Sequence, residues 1–340
     1  MQGKVNIAIV GATGLVGETM LSILKERKFP VGDIAVLESS RSAATRVEWN
    51  GRWLSVADVA DFDFSKTGIA LFSAGRNVSE QYAARAAEAG AVVIDNTSQF
   101  RYEDDIPLVV PEVNADALEN FRRRNIVANP NCSTIQLVVA LKPLYDAAGI
   151  ERINIATYQS VSGAGRQCVE QLARETTTLM NGQPLELNGT EHQLAFNAVP
   201  RIDRVMENGY TREEMKIAWE TCKILGDETI RVNATAVRVA VFFGHSEAVH
   251  IETKDKLTVA RARKILETAP GVTVLDVFET GEYPTAAGTA VNRDTVFVGR
   301  IREDISHDRG LDLWVVADNV RKGAALNSVQ IAEILVKNYF

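Results

Sequence analysis

The sequence predicts an α/β protein of two domains, an N-terminal domain on a parallel sheet and an α+β domain on a mixed sheet. Short apolar strands alternate with amphipathic helices in the first part of the chain, and strands dominate beyond about residue 150. A chain of 340 residues, 46% of them hydrophobic, is long enough to form two cores. We expect the domains to span residues 1–130 and 131–317, with a C-terminal helix over 318–340 completing the first domain.

The composition narrows the possible partners and the compartment. With a net charge of −7 and no basic block, the chain is not expected to bind nucleic acid or an anionic membrane. No apolar segment is long enough to span a bilayer. The 3 cysteines form no CxxC pair and the 4 histidines show no ligand spacing, so neither a disulfide framework nor a metal site is predicted. These features are typical of a protein of the reducing cytoplasm.

The first strand and the turn after it predict a nucleotide site. Val5 to Val10 form an apolar run, glycines follow at positions 11, 14 and 17, and an amphipathic helix is predicted over 18–27. Glycines between a strand and a helix let the backbone approach a pyrophosphate, which then lies at the helix N-terminus. The alternative is that these glycines only permit tight packing of the strand against the helix. The context favours a Rossmann-like dinucleotide site, although the spacing is GxxGxxG rather than the usual GxGxxG.

The end of the second predicted strand, Ile34 to Leu37, contains opposing signals about the type of cofactor. An acidic residue at this place, here Glu38, usually bonds the ribose hydroxyls of NAD. An arginine with hydroxyls suits the 2′-phosphate of NADP, and Arg41 lies between Ser39 and Ser42. In the simpler interpretation these are solvated loop charges. We expect Glu38 to turn towards Arg41 or solvent, so that NADP is favoured and NAD is the weaker alternative.

Two further strands extend the predicted parallel sheet, at 69–72 and 91–94, with a helix over 80–89 between them. The polar loop after the second of these strands contains Arg101. This arginine can clamp a phosphate, or it can form a surface ion pair with the acidic residues at 103–105.

A cysteine at the start of a helix is the candidate nucleophile. A short strand over 125–128 is ended by Pro130, and Asn131 can cap the helix that follows. Cys132 then lies among the first N–H groups of a predicted helix over 135–145. There the helix dipole stabilises a thiolate, and the free N–H groups can hold an oxyanion. The alternative is a small buried core cysteine, and this stretch alone does not decide between them.

The second half begins with a predicted strand over 153–159, a turn rich in serine and glycine, and a helix over 167–180. Thr211 then opens a capping box, and its helix continues to about Leu225. This helix places Glu220 and Lys223 three residues apart on one face, as either site residues or an exposed ion pair.

A strand predicted over 234–243 contains Arg238 in an otherwise apolar run, so this arginine needs a carboxylate partner from the protein or from a ligand. His245 follows at the end of that strand, after Gly244, as a structural residue or a general acid/base. The remaining predicted elements are strands near 272–277, 295–301 and 311–317 and a last helix over 321–338 with an apolar stripe of Ala325, Val329, Ala332 and Leu335. The second sheet is therefore expected to be mixed and largely antiparallel.

In this order along the chain, several segments resemble the bacterial aspartate-β-semialdehyde dehydrogenases over essentially the whole length. The segments that resemble the family are GATGLVG at 11–17, DNTS at 95–98, VPEVN at 110–114, NPNCST at 129–134, YQSVSGAG at 158–165, AFN at 195–197, WETCK at 219–223, VRV at 237–239, GHSE at 244–247 and ADNVRKGA at 317–324. Each segment alone is a weak match, whereas their number and order are specific.

The resemblance implies an NADPH-dependent reductive dephosphorylation of L-4-aspartyl phosphate, which gives L-aspartate 4-semialdehyde and phosphate. This reaction is a step towards lysine, methionine, threonine and the diaminopimelate of the bacterial cell wall. The implied cofactor is NADP, and the implied partners are the small-molecule substrate and phosphate. The resemblance also implies that the second domain serves catalysis and dimerisation, in a homodimer or a homotetramer.

The resemblance also implies roles for individual residues. The implied catalytic residues are Cys132 as the nucleophile, His245 as the acid/base and Gln159 as a residue that assists the thiol. The implied substrate-binding residues are Arg101, Asn131 and Lys223 for phosphate, Glu220 for the amino group and Arg238 for the α-carboxylate. The implied cofactor-binding residues are Gly11, Thr13, Gly14, Leu15, Val16, Gly17, Ser39, Arg41, Ser42, Ser73, Gly75, Ser162, Gly163, Gly165 and Asn319.

Two residues depart from the family pattern. Ala240 stands where the strand commonly has proline, and Glu38 stands where a small residue is usual beside the 2′-phosphate.

Three other functions are possible for such a sequence: an N-acetyl-γ-glutamyl-phosphate reductase, a cysteine hydrolase or acyltransferase, and a non-catalytic paralogue. Recognition of a free amine by Glu220 argues against the first, because an acetylated substrate has no ammonium. The dinucleotide motif argues against the second, and the intact Cys132 and His245 argue against the third.

Overall fold

The computed structural model describes residues 3–39, 45–187 and 192–340. The chain divides into two compact units. The first unit comprises residues 1–131 together with 324–340, and the second unit comprises residues 132–323. Within the described ranges, no helix combines the length and the apolar character needed to cross a membrane.

The first unit is built on a parallel sheet with helices, numbered here along the whole chain. Its strands are β1 (Val5–Val10), β2 (Val31–Glu38), β3 (Arg46–Trp49), β4 (Arg52–Ser55), β5 (Ala57–Asp58), β6 (Ile69–Phe72), β7 (Val92–Asp95) and β8 (Ile126–Ala128). Its helices are α1 (Leu15–Glu26), α2 (Arg76–Glu88), α3 (Pro111–Asn114) and α8 (Leu326–Tyr339). Where the structure describes the chain, the sheet order is β5-β2-β1-β6-β7-β8 and every pair is parallel, which confirms the predicted parallel sheet.

The strand order places the glycine turn at a point where this sheet can bind a ligand. Strand β1 lies between β2 and β6, so the chain leaves β1 towards one side and later returns on the other. Ligands of open α/β sheets bind at the carboxyl ends of the strands, where the strand order reverses in this way. The glycine turn follows the carboxyl end of β1 and leads directly into α1.

The C-terminal helix α8 belongs to the core of the first unit. The four residues of its predicted apolar stripe are fully buried and pack with the apolar side chains of β1 and α1, so that prediction is confirmed. The regular helix begins at Leu326 rather than near residue 321, after a π-helical turn over Arg321–Ala325. The chain turns before it, because the carboxylate of Asp318 accepts the backbone N–H groups of Val320 and Arg321.

The second unit is built on a mixed sheet. Its strands are β9 (Ile150–Gln159), β10 (Ala198–Val199), β11 (Arg231–Val239), β12 (His245–Thr253), β13 (Val272–Val274), β14 (Val296–Glu303) and β15 (Gly310–Ala317). Its helices are α4 (Cys132–Ala148), α5 (Arg166–Met180), α6 (Arg212–Leu225) and α7 (Val259–Glu267). Among its described residues the order is β10-β11-β9-β12-β15-β14-β13, with parallel pairs at β11/β9 and β14/β13 and antiparallel pairs elsewhere. The prediction of a mixed, largely antiparallel sheet is therefore confirmed.

The predicted strand over 234–243 is wrong at its end, and this changes the position of His245. Strand β11 stops at Val239, because the carbonyls of Val241 and Phe242 turn to accept backbone N–H groups from the loop after β9. Gly244 follows with a φ of +86°, a left-handed conformation that suits glycine. His245 is therefore the first residue of a new strand, β12, and not the residue after the end of the previous one.

Two elements were missed in the sequence. The β3–β4 hairpin turns at Asn50 and Gly51, whose φ values are +49° and +76°. An Asn-Gly pair is a strong hairpin signal, so this element was predictable. Helix α7 was missed as well, although Thr258 caps it by accepting the backbone N–H of Arg261.

Candidate active site

The glycine turn after β1 has the backbone geometry of a dinucleotide site. Gly11 has a φ of +93°, and a Cβ there would lie 2.7 Å from the backbone nitrogen of Ala74 and 2.8 Å from Oγ of Ser73. A Cβ on Gly17 would lie only 2.1 Å from the carbonyl oxygen of Gly11. Gly14 immediately precedes α1, whose first N–H groups can hold a phosphate. The turn therefore fits a dinucleotide, and it also contains the predicted residues Thr13, Leu15 and Val16.

Glu38, at the end of β2, bonds to this glycine turn. Its Oε1 accepts the backbone N–H of Thr13 at 2.9 Å and the hydroxyl of Thr13 at 2.7 Å. Its side chain is buried, with 7% of the residue exposed, so the expected rotation into solvent is wrong. Two charge-assisted hydrogen bonds from one residue outweigh the hydration that an exposed carboxylate would gain. Ser39 follows in a half-buried position, whereas Arg41 and Ser42 lie outside the described residues.

Ser73 and Gly75 lie at the carboxyl end of β6, the strand next to β1. The Ser73 hydroxyl donates to the carbonyl oxygen of Val10 at 3.2 Å. Gly75 has a φ of +98° and directly precedes α2. A second helix therefore begins at the same edge of the sheet as α1, which supports the predicted roles of both residues at a nucleotide.

The two phosphate residues predicted in the first unit are both buried. Arg101 is 6% exposed, so it does not lie at the protein surface as its alternative role required. Its Nε donates to the carbonyl oxygen of Asn129 at 2.9 Å, and its Nη2 donates to that of Asn96 at 2.8 Å. Asn131 is 7% exposed and immediately precedes Cys132 in the chain. The carbonyl bonds hold the Arg101 guanidinium in one orientation without neutralising its charge.

Cys132 is the first residue of α4, as the sequence predicted for a nucleophile. It is a free, half-buried cysteine, so it is not the fully buried core residue of the alternative interpretation. The pKa of Arg238 is lowered by burial, and the negative charges of Glu213 and of the Cys132 and Cys168 thiolates oppose that change. The thiol thus lies within electrostatic reach of a guanidinium. Gly323 packs against it, because a Cβ there would lie 2.9 Å from Cβ of Cys132.

His245 is fully buried, and its hydrogen bonds determine which ring nitrogen carries the proton. Nδ1 lies 3.1 Å from the backbone nitrogen of Ser160, and an N–H group can only donate. Nδ1 is therefore an acceptor, and the neutral ring carries its proton on Nε2. Within the described chain Nε2 has no hydrogen-bond partner, and a Cβ on Gly163 would lie 3.2 Å from it. Burial, followed by the charge of Arg238, lowers the pKa of His245 to about 3, so the ring is neutral at ordinary pH.

Gln159 and Arg238 lie side by side on paired strands. Gln159 is the last residue of β9, and it pairs in register with Arg238 of β11. The Nη1 group of Arg238 donates to the carbonyl oxygen of Ser160 at 2.7 Å and lies 3.3 Å from where a Cβ on Gly163 would stand. Gly163 therefore leaves space that both Arg238 and His245 border. A substrate group in that space would meet a guanidinium and an imidazole N–H.

Asn319, predicted as a cofactor residue, is a buried acceptor for three groups around His245. Its Oδ1 accepts the hydroxyls of Ser160 at 3.1 Å and Ser162 at 3.2 Å, and the backbone N–H of Gly244 at 2.9 Å. Ser162 thus belongs to the same hydrogen-bond network. Gly165, another predicted cofactor residue, has a φ of +92° and directly precedes α5. The network joins the loop after β9 to the residues before β12, which keeps His245 in place.

Helix α6 contains the remaining predicted site residues and one that was missed. Its capping box is confirmed, since Thr211 and Glu214 bond to each other's backbone N–H groups. Glu220 on this helix is fully buried, and Lys223 is half-buried one turn later, so an exposed ion pair is wrong for the glutamate. Glu213 was missed, although it lies two turns before Glu220 on the same helix face. Within the described ranges, no group of acidic, histidine and cysteine residues could hold a metal ion.

The two units match two domains of one family. Residues 6–121 match the semialdehyde dehydrogenase NAD binding domain, and residues 141–322 match the semialdehyde dehydrogenase dimerisation domain. The chain is 58% identical to the aspartate-semialdehyde dehydrogenase of Legionella pneumophila, over 100% of this chain and 98% of that protein. It is 56% identical to aspartate semialdehyde dehydrogenase II of Vibrio cholerae complexed with ASA, with a TM-score of 0.96 over 99% of both chains. The aspartate semialdehyde dehydrogenase of Candida albicans, solved with NADP, is 25% identical with a TM-score of 0.75, over 98% of both chains.

Proposed function

Because the chain belongs to the family of aspartate-semialdehyde dehydrogenases, we propose that it uses NADPH to convert L-4-aspartyl phosphate into L-aspartate 4-semialdehyde and phosphate. The observation that supports this reaction best is the position of Cys132 at the start of α4, within electrostatic reach of Arg238. A cysteine in that position can act as a thiolate, which is the form that attacks an acyl phosphate.

In the proposed reaction, the Cys132 thiolate attacks the acyl carbon, and phosphate leaves with the bonding electron pair. A thioester on Cys132 results. When held by the glycine turn of the first unit, the nicotinamide cofactor would supply the hydride that reduces the thioester carbon. The hemithioacetal oxyanion then collapses, the carbon–sulfur bond breaks, and the aldehyde leaves while Cys132 returns to the thiolate. The dipole of α4 favours both states in which the sulfur carries negative charge.

His245 is proposed as the acid/base residue of this reaction. Its neutral ring presents Nε2–H towards the space beside Gly163, because Nδ1 accepts from Ser160. From that place Nε2–H can donate to the carbonyl oxygen as negative charge develops on it. In the free protein the low pKa of His245, about 3, keeps the ring in this neutral donor form. For the proton transfer proposed here, the negative charge of the thiolate or the oxyanion beside the ring would raise that pKa.

The proposed substrate contacts follow the charges of the substrate. Arg238, with a planar guanidinium in a half-buried position, is proposed to hold the α-carboxylate, and the buried Glu220 to hold the ammonium. The proposed phosphate ligands are Lys223 of the second unit and Arg101 and Asn131 of the first. The Gln159 amide, at the end of β9, is proposed to assist the thiol.

The cofactor is proposed to be NADP, held in the first unit by the glycine turn and by the residues after β2 and β6. The tight turn at Gly11 and Gly17, where any side chain would clash with the backbone, supports the binding of a dinucleotide. The Candida albicans relative was solved with NADP. From the second unit, the proposed cofactor residues are Ser162, Gly163, Gly165 and Asn319. The match of residues 141–322 to a dimerisation domain supports a homodimer. The proposed place in metabolism is the biosynthesis of lysine, methionine, threonine and diaminopimelate.

The reaction can be tested in the oxidative direction with purified protein. We expect reduced cofactor to form from NADP only when aspartate semialdehyde and phosphate are both present, and more slowly from NAD. N-acetylglutamate semialdehyde is the matched control, because it lacks the ammonium that Glu220 is proposed to bind. Absence of turnover with aspartate semialdehyde, or an equal rate with the acetylated substrate, would contradict the proposal.

A further inference from the structure

Glu213 is a buried carboxylate on α6, and the proposed reaction assigns it no role. It is 5% exposed. Its Oε1 accepts from Nε2 of Gln159 at 3.0 Å, and its Oε2 lies 2.8 Å from Nζ of Lys216. Lys216 also bonds Asp203 at 2.9 Å, so one half-buried ammonium bridges two carboxylates. Although burial lowers it, these carboxylates raise the pKa of Lys216 above its ordinary value, so the ammonium keeps its charge.

The bond to Glu213 sets the orientation of the Gln159 amide. A carboxylate oxygen can only accept, so the NH₂ end of the amide must face Glu213. The carbonyl end then points the other way, where Oε1 of Gln159 lies 3.5 Å from the hydroxyl of Thr157. Without the carboxylate, the amide could rotate by half a turn and exchange its donor and acceptor. Glu213 therefore decides which end of Gln159 is available to a ligand.

The charge of Glu213 also acts on Arg238, which is cationic, and on His245, which is neutral at ordinary pH. Burial lowers the pKa of Arg238 and of His245, and Glu213 opposes the change at both. Lys216 partly neutralises Glu213 at Oε2, the oxygen that does not bond Gln159. The observed bond from Arg238 to the Ser160 carbonyl is consistent with this balance.

We infer that Glu213 is a positioning residue that acts through Gln159, holding the amide in the orientation that the acyl-transfer step uses. This inference rests on the proposed function, because it assigns Gln159 a role beside the reacting thiol. Glu213 does not need to touch the substrate. We expect Glu213 to affect the rate only by orienting the Gln159 amide. Replacing Glu213 should therefore have little effect in a variant that lacks Gln159.

The next residue provides a natural control. Glu214 is equally buried on the same helix, yet its bonds are structural: Oε2 accepts the backbone N–H of Thr211 at 2.7 Å, and Oε1 accepts that of Ala236 at 2.9 Å. It caps α6 and joins it to β11. Replacing Glu214 removes a buried carboxylate from the same turn of the helix without touching Gln159.

The test is a kinetic double-mutant cycle with aspartate semialdehyde, phosphate and NADP. The variants are Glu213→Gln, Gln159→Ala, the double variant and Glu214→Gln. We expect Glu213→Gln to lower kcat/KM by about 10- to 100-fold, because the new amide loses the charge and can present either its oxygen or its NH₂ group, so it no longer determines which way the Gln159 amide faces. In the Gln159→Ala background, the same change is expected to cost less than about twofold, because the residue it orients is gone. Glu214→Gln is expected to lower the thermal midpoint while kcat/KM stays within about twofold of the wild type.

Three results would overturn the inference: equal losses for Glu213→Gln in both backgrounds, no loss in the wild-type background, or a Glu214→Gln loss of the same size. If Glu213→Gln does not fold, Glu213→Asp replaces it, since that variant keeps the charge near Lys216 but withdraws the oxygen from Gln159. Wild-type kinetics in Glu213→Asp would overturn the inference as well. Failure of the wild-type protein to turn over aspartate semialdehyde would instead overturn the proposed function, so the two failures are distinguishable.

Discussion

The glycine turn of the first unit and the proposed catalytic site of the second unit, the pocket around Cys132, Arg238 and His245, are built in opposite ways. Around the turn, Gly11 and Gly17 leave no room for side chains, and the binding groups are backbone N–H groups at helix starts. In the pocket, side chains bond to one another, as His245 does to Ser160 and Ser160 to Asn319. Substitutions that add side-chain atoms should therefore distort the glycine turn, whereas substitutions that remove polar groups should impair the pocket.

The largest effect is expected in the pocket, at Cys132. Cys132→Ser keeps the size of the side chain but replaces the thiolate with a hydroxyl that does not ionise at ordinary pH. We expect turnover to fall by at least about a thousandfold. The thermal midpoint and the affinity for NADP should stay at wild-type values, because the turn in the first unit is unchanged. Full activity in this variant would exclude the covalent mechanism.

The reactivity of the three cysteines gives a control for that result. Iodoacetamide should label Cys132 before Cys168 or Cys222, and phosphate should protect Cys132. Burial, followed by the charges of Glu228 and Asp227, raises the pKa of Cys222, which makes its thiolate rarer. Mass spectrometry of the labelled peptides measures the order. If Cys222 were labelled first, Cys132 would not be the activated thiol.

The turn and the pocket also differ in how much the sequence could predict. The glycine turn was predictable because its parts are contiguous, and the capping box at Thr211 was predictable for the same reason. The bond between Gln159 and Glu213 joins residues 54 positions apart, and it forms only when α6 packs against β11, the strand next to β9. No local pattern indicates such a contact. The sequence predicts His245 after the end of a strand over 234–243, whereas the structure makes it the first residue of β12, because Gly244, with a φ of +86°, turns the chain before it.

The second prediction concerns Gly17 in the turn. Gly17→Ala would place a Cβ 2.1 Å from the carbonyl oxygen of Gly11, so the backbone must move. We expect the free energy of unfolding to fall by about 1–3 kcal/mol, the usual cost of overpacking. Affinity for NADP should fall with it, as measured by fluorescence titration. Gly14→Ala is the matched control, because a Cβ there meets the same oxygen at 3.4 Å, an ordinary contact, and its φ of −77° suits any residue.

The smallest effect is expected at Glu38, which combines features of the turn and of the pocket. It is a side chain, yet it supports the backbone of the nucleotide turn through its two bonds to Thr13. Glu38→Ala removes both the support and the negative charge. Glu38→Gln removes only the charge, because its amide oxygen can still accept from Thr13. Comparing the two variants therefore separates the structural effect of the hydrogen bonds to Thr13 from the electrostatic effect of Glu38 on cofactor choice.

A carboxylate near the 2′-phosphate of NADP disfavours it by Coulomb repulsion, about 1 kcal/mol at 4 Å in water and more where water is excluded. We expect Glu38→Gln to raise the NADP/NAD ratio of kcat/KM by about three- to tenfold, with little change in thermal midpoint. Glu38→Ala should raise the ratio by a similar factor, while kcat/KM falls with both cofactors because the turn loses its support at Thr13. If the ratio in Glu38→Gln equals that of the wild type, the charge of Glu38 does not reach the 2′-phosphate. In that case Glu38 serves only the turn, and the choice of cofactor depends on other residues after β2.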